Sequence, residues 1–187
     1  MANGNISYSL YHAQIAAQGE TPTWVDLPYA RTLNPTINQD EEDLQADGAN
    51  VLTAYDGPRG SLSAEWARAT PAVLALMAGL TATSSGTTPA TIDRLEYKGD
   101  TTPPGIMLSA WALNIDPNID GAGMRITFPN VKLKVPSMPL AQKTFSTLSA
   151  DGNFNPNAAG VMMILEFLET APTFTSNVMP VNLTAPS

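Results

Sequence analysis

The 187-residue chain has no cysteine, one histidine (His12) and few charged side chains, 14% against about 25% in an average soluble domain. Without cysteine there are no disulfides and no thiolate metal site, so the fold must hold by packing alone. One histidine cannot build a His-rich metal centre, and it could serve a Ser-His-Asp triad only if placed beside both partners. No serine sits in a Gly-x-Ser-x-Gly elbow. Basic residues are in the minority, 9 against 17 acidic, for a formal net charge of −8. A duplex-DNA reader normally carries the opposite sign, because phosphate neutralisation supplies most non-specific affinity. No stretch approaches the ~20 apolar residues of a membrane helix, and Met1–Asn5 shows neither the basic nor the apolar region of a signal peptide. Synthesis in a cytoplasm without membrane insertion is the expectation.

Apolar residues make up 43% of the chain, enough for a real core. Thr, Ser, Asn, Pro, Gly and Ala take the place of charge, which suits strands, turns and protein-covered surfaces. Ile6–Ile15 alternates as a strand, and Trp24–Tyr29 reads as a short extended piece interrupted by Pro28. Asp40–Asp47 (DEEDLQAD), the most acidic window, reads as a solvated loop or frayed strand edge before Gly48. Asn50–Tyr55 and Ser61–Ala67 alternate around the turn residues 56–60, which predicts a hairpin between them. Thr70 as N-cap and Pro71 at the first helical position open a short helix over about 71–82, with Val73, Leu74, Leu76, Met77 and Leu80 as a core-facing stripe. Thr81–Thr91 has the composition of a flexible loop.

Further strands are expected at Ile92–Tyr97 and Ile106–Ile115, in Met124–Phe128 and Val131–Val135, around Phe145 and Leu148, and at Val161–Leu168. Asp151–Gly160 reads as a long polar loop, and 171–187 as an extended C-terminal arm. The expected fold is therefore mainly β. It is an antiparallel β-sandwich or half-open barrel of seven to ten strands with one short flanking helix, a single domain over 1–170 that includes an N-terminal segment, 1–23.

Chemical motifs are weak. Gly121-Ala122-Gly123 lacks the third glycine and the helix of a dinucleotide fingerprint. Asp116-Pro117-Asn118-Ile119-Asp120-Gly121 matches the first half of a calcium loop, but its twelfth position is Thr127 where a bidentate Glu is needed. Glu65 and Glu96 can be nominated as a glycosidase pair only in the sense that any two acids can. No catalytic residue, cofactor or metal is expected, and the chain does not read as an enzyme.

The order of elements carries a resemblance. From Trp24 the chain runs WVDLPYARTLNPTINQDEEDLQADGANVLTAYDGPRGSLSAEWARATPAVLALMAGLTA, and later MRITFPNVKLKVPSMPLAQKTFSTLSADGNFNP followed by VMMILEF. This resembles the major tail protein family of long-tailed bacteriophages over roughly Trp24–Phe167. There a W-x-D-L-G-Y entry precedes an acidic stretch, a hairpin and a short helix; Pro28 stands where the family has glycine. The resemblance implies a virion protein that self-assembles into stacked hexameric rings, the tail tube through which DNA is ejected without specific binding. It also implies tape-measure, tail terminator and tail tip partners. Six copies would carry a formal charge of −48, six times −8, a field that repels phosphate. Asp40, Glu41, Glu42, Asp43 and Asp47, with Thr83, Ser84 and Ser85 and the C-terminal arm, are the expected contacts between subunits or rings. Two alternatives remain open at this stage. One is a head-decoration or tail-terminator protein; the other is a carbohydrate-binding β-sandwich with Trp24, Trp66 and Trp111 as stacking platforms, although Trp66 and Trp111 lie where core positions are expected.

Overall fold

Alternating side chains dominate the structure, a computed structural model that describes residues 8–19, 21–39, 41–46, 49–55, 57–68, 70–114, 123–137 and 147–169. These residues form twelve strands and one helix: β1 (Tyr8–Ala17), β2 (Val25–Asp26), β3 (Ala30–Asn38), β4 (Glu41–Ala46), β5 (Ala49–Tyr55), β6 (Arg59–Trp66), α1 (Pro71–Ala78), β7 (Thr83–Ser85), β8 (Ile92–Arg94), β9 (Ile106–Asn114), β10 (Gly123–Leu133), β11 (Leu148–Phe154) and β12 (Ile164–Leu168). All named pairings are antiparallel. The expected class, a mainly β antiparallel sandwich or half-barrel with one short helix, is what the chain adopts.

The main sheet runs β2-β1-β9-β10-β11-β6-β3, with β12 also on β10. Strand β10 is shared between two layers. Gly123–Thr127 lies between β9 and β12, whereas Val131–Leu133 pairs with β11 while Val131 still faces Ile106 of β9. Because β9 holds one edge of β10 throughout, β11 and β12 must both use the other edge and part company at Pro129-Asn130. A register shift between Phe128 and Val131 marks that place. Proline cannot donate to a ladder, so a bulge is where a mid-strand proline is tolerated. The shift keeps Phe128 and Val131 on the same, inner face, both fully buried. A second shift, between Leu10 and His12, likewise turns Ala13 and Ile15 inward.

The sheet folds over itself, and the inner faces of β1, β9 and β10 meet those of β6 and β11. Ile15, Leu62, Trp66, Ile106, Leu108, Phe128, Leu133 and Phe154 form the core, which Val73 and Met77 of α1 close. Both faces of β9 are buried, Ile106, Leu108 and Ala110 toward this core and Met107, Ser109 and Trp111 on the other side. The helix is shorter than the predicted 71–82. Thr70 Oγ1 accepts from Val73 N at 3.3 Å as expected, but Gly79 stops the helix in the left-handed region at φ 68°. Leu80 N then donates to Ala75 O and Gly79 N to Leu76 O, the two bonds of a Schellman cap. A Cβ on Gly79 would also meet Pro104 Cδ at 2.9 Å. Gly79→Ala is therefore expected to lower stability by about 1–2 kcal/mol, read as a shift of the denaturation midpoint; an unchanged midpoint would show that this cap is dispensable.

Several sequence expectations are corrected. Of the two readings of the acidic window, the loop gives way to the strand, because Glu41–Ala46 is strand β4, paired with β5. The hairpin between 50–55 and 61–67 does not form. Strand β6 pairs with β3 and β11, so β5 and β6 are successive parts of one arm and residues 57–58 are only an interruption in it. Strand β3 was not foreseen, since Pro35 breaks its pattern; it pairs with β6 alone, and proline is tolerated on an edge strand. Within the loop expected over 81–91, Thr83–Ser85 is strand β7, paired with β8. Asp151–Phe154, read as loop, is the end of β11, where Gly152 packs against the Lys132 carbonyl and Leu133. Twelve strands replace the expected seven to ten.

Candidate functional site

The candidate site is a set of unfinished β surfaces. Strand β4 follows β3 and β6 follows β5, with Asp40 and Asp56 between them outside the described residues. The ladder that pairs Asn38 with Arg59 resumes at Glu41 with Tyr55 and ends at Ala46 with Ala49. The result is one long hairpin whose base is built into the main sheet. Its outer part, β4–β5, pairs with no other strand among the described residues. Glu41, Glu42 and Asp43 are on this part; Asp40 and Asp47 lie outside the described residues.

Thr83, Ser84 and Ser85 form β7, exposed throughout, with the Ser84 hydroxyl bonded to Asp93 of β8. The two predicted contact groups thus sit on two separate ribbons, and no strand pairing joins them. Strand β12 was not among the predicted contacts. Among the described residues it pairs only with β10, and it exposes Leu165 by 45% and Phe167 by 72%. The clue in the sequence was VMMILEFL, an apolar run with one charge that a single buried face does not require.

The outer face of β11, β6 and β3 is flat and polar. Cross-strand rows read Asn153–Ser61–Thr36, Asp151–Ser63–Asn34 and Ser149–Glu65–Thr32. Apart from half-buried Glu65, these side chains are all exposed. Two carboxylates stand among short hydroxyl and amide groups, and exposed cations border them, Lys132 directly opposite Asn153 and Arg59 opposite Asn38.

The opposite layer hides its polar groups. On the outer face of β1, β9 and β10, Gln14, Ser109, Arg125 and Thr127 are buried. The Ser109 and Thr127 hydroxyls bond each other at 2.9 Å, and Arg125 pairs with Glu166 directly across from it on β12. His12 Nε2 lies 3.1 Å from Asp26 Oδ1, the oxygen that also accepts from Gln14 Nε2 at 2.8 Å. This arrangement clamps two-residue β2 onto β1. It is a His-Asp pair, but the serine nearest in register, Ser109 opposite Gln14, is fully buried and bonded to Thr127.

No protein-family model matches this chain, and no curated protein is significantly similar to it. Function must therefore be argued from the surfaces themselves. Among the described residues no cluster of three or more His, Cys, Asp or Glu could hold a metal, and no helix is long and apolar enough to cross a membrane. The Asp116–Gly121 turn lies outside the described residues. Of the nominated acids, Glu96 is exposed and paired with Arg94, and Glu65 belongs to the flat polar face. Trp24, Trp66 and Trp111 are 5%, 0% and 0% exposed, so none offers a ring face to a sugar.

Proposed function

We propose that this chain is a structural subunit that polymerises with copies of itself into rings and a tube, of the kind that serves phage tails as a conduit for DNA. The observation that carries the reading is strand β12, which among the described residues pairs on one side only and exposes Leu165 and Phe167, on a subunit that also bears the β4–β5 hairpin. An exposed apolar edge is an aggregation hazard for a monomer and an assembly surface for a polymer. Helix α1 supports the same reading. Its sequence PAVLALMA has no polar side chain, yet Pro71 and Ala72 are exposed and Leu74 and Leu76 half-exposed. In this reading the tape-measure, terminator and tip proteins meet the ends and interior of the tube, in a virion. The runner-up, a terminator or decoration subunit, shares these surfaces and differs in stopping at one ring.

The flat face of β11, β6 and β3 is the face we assign to the lumen. Short neutral polar groups stay hydrated, and Asp151 and Glu65 offset the bordering cations Lys132 and Arg59, so the face has no net attraction that would hold DNA in place. In preformed tubes a Ser63→Cys variant should react with a small maleimide and be shielded from a protein-sized one. Equal labelling by both would put this face outside.

Electron microscopy of negatively stained purified protein tests the main reading. Tubes or stacked rings of uniform diameter are expected, and a monomer at high concentration would overturn it. Because each copy carries −8, salt should promote assembly by screening like charges. Sedimentable polymer is expected to increase between low and physiological ionic strength, where the Debye length falls to about 8 Å. A decrease would mean that ion pairs, not apolar edges, hold the subunits together.

A further inference from the structure

We propose that the inner face of β12 and the adjoining half of β10 is the seat for residues 174–184 of a second copy of this chain. The inference rests on the polymer reading above and locates one of its contacts.

Two apolar rows cross the upper layer and run out from under the lower one. The first is Ala13–Ala110–Ile126–Leu165, the second Leu10–Ala112–Met124–Phe167, each residue directly opposite the next. Along the first row exposure climbs from 1% at Ala13 and 2% at Ala110, through half-buried Ile126, to 45% at Leu165. The second row ends at Phe167, 72% exposed. The cause is the parting of β11 and β12 at Pro129-Asn130: β11 carries the lower layer away, and β12 extends the upper layer past its cover. A groove of about 270 Å³ between Leu10, Leu33, Ala112 and Ile126 continues the same surface inward. Glu166, the one charged side chain of β12, faces the other way, toward Arg125. Thus the β12 ends of both rows, Leu165 and Phe167, are exposed, and among the described residues no strand pairs with the outer edge of β12.

The segment after β12 has the matching chemistry. Residues 170–187 hold no charged side chain, so burying them takes no ionised group out of water. Met179, Val181 and Leu183 alternate with Pro180, Asn182 and Thr184, one apolar face at the spacing of a strand, and Phe174 and Val178 precede them. Length bears on which copy supplies the segment. Hairpin loops use about 2–5 residues, whereas 170–177 is longer and holds Pro172. The 18 residues of 170–187 could span about 60 Å when extended, against a radius of gyration of about 16 Å for a domain of this size. The arm is therefore long enough to reach a neighbour, and the polymer reading assigns it there.

The chain has no cysteine, so engineered thiols report without background. Phe167→Cys and Val181→Cys chains, one carrying a mass tag, are mixed under assembling conditions and oxidised. Mixed disulfide dimers are expected at about tenfold or more the yield of a Thr83→Cys and Val181→Cys mixture, since docking raises effective concentration. A yield equal to that control would overturn the docking, and tubes still present in the micrographs would leave the polymer reading standing. Mixed dimers with no rings or tubes would support the docking and overturn the tube. If the Phe167→Cys/Val181→Cys double variant closes within single chains and gives no dimer, the occupant is the chain's own arm and the proposal fails. Phe167→Asp, at an exposed position, should keep the fold and reduce polymer at least severalfold; undiminished polymer counts against the seat.

Discussion

Phe154→Ala is expected to destabilise the domain by about 3–5 kcal/mol, a large share of what a fold of this size has to lose. The ring is fully buried at the end of β11, tilted against Phe128 with centroids 4.9 Å apart. It also lies directly over Gly60, its cross-strand partner on β6, where any Cβ would fall inside the ring. The glycine is thus a socket for the aromatic, and an alanine at 154 leaves a void lined by groups that the sheet holds in place. Gly60→Ala approaches the same contact from the other side. It must push the ring off its seat, and overpacking of this kind costs about 1–3 kcal/mol. Urea denaturation should show both midpoints lowered with little change in slope. An undisturbed midpoint for Phe154→Ala would mean that the two layers do not share one core.

Glu166→Leu should cost about 2–3 kcal/mol, more than its place on an edge strand suggests. Its partner Arg125 is 1% exposed, and a buried cation stripped of its carboxylate stays charged in a poor solvent. Breaking a fully buried pair costs about 3–5 kcal/mol. The lower figure reflects a Glu166 side chain that is 38% exposed, so water already screens the pair. Arg125→Met should be milder, since Glu166 can turn to water. The double variant Arg125→Met/Glu166→Leu should recover most of the loss, because two apolar side chains then fill the site. A double-mutant cycle in which the two single effects simply add would show that the residues do not act as a pair.

How much of this was legible in the sequence differs from element to element. The core positions of Trp66 and Trp111 were legible from their place on alternating strands. So was the start of α1, from Thr70 and Pro71. The end of α1 was also written there, in Gly79, but the apolar pattern continuing to Leu80 masked it. Strand β3 was missed because Pro35 counts against a strand until it is known to be an edge. The acidic run at 41–46 was read as a solvated loop or frayed strand edge because like charges favour solvent, whereas pairing with β5 places it in a ladder. Of the predicted contacts, Glu41, Glu42 and Asp43 lie on the hairpin extension and Thr83, Ser84 and Ser85 on a separate ribbon. The exposed face of β12 was absent from the expectation altogether.

Composition and periodicity alone determined the class: antiparallel β with one capped helix, without thiols, short of charge, and acidic. These are properties of single residues and near neighbours, and the chain carries them before it folds. Partnership was decided by tertiary structure. Alternation says which side chains share a face, but not which strand lies beside which, because that choice is made by contacts between residues far apart in sequence. The false hairpin at 50–67, the splitting of β10 between two layers and the overhang of β12 are all of this second kind. Each depends on what covers a strand, which no local pattern records.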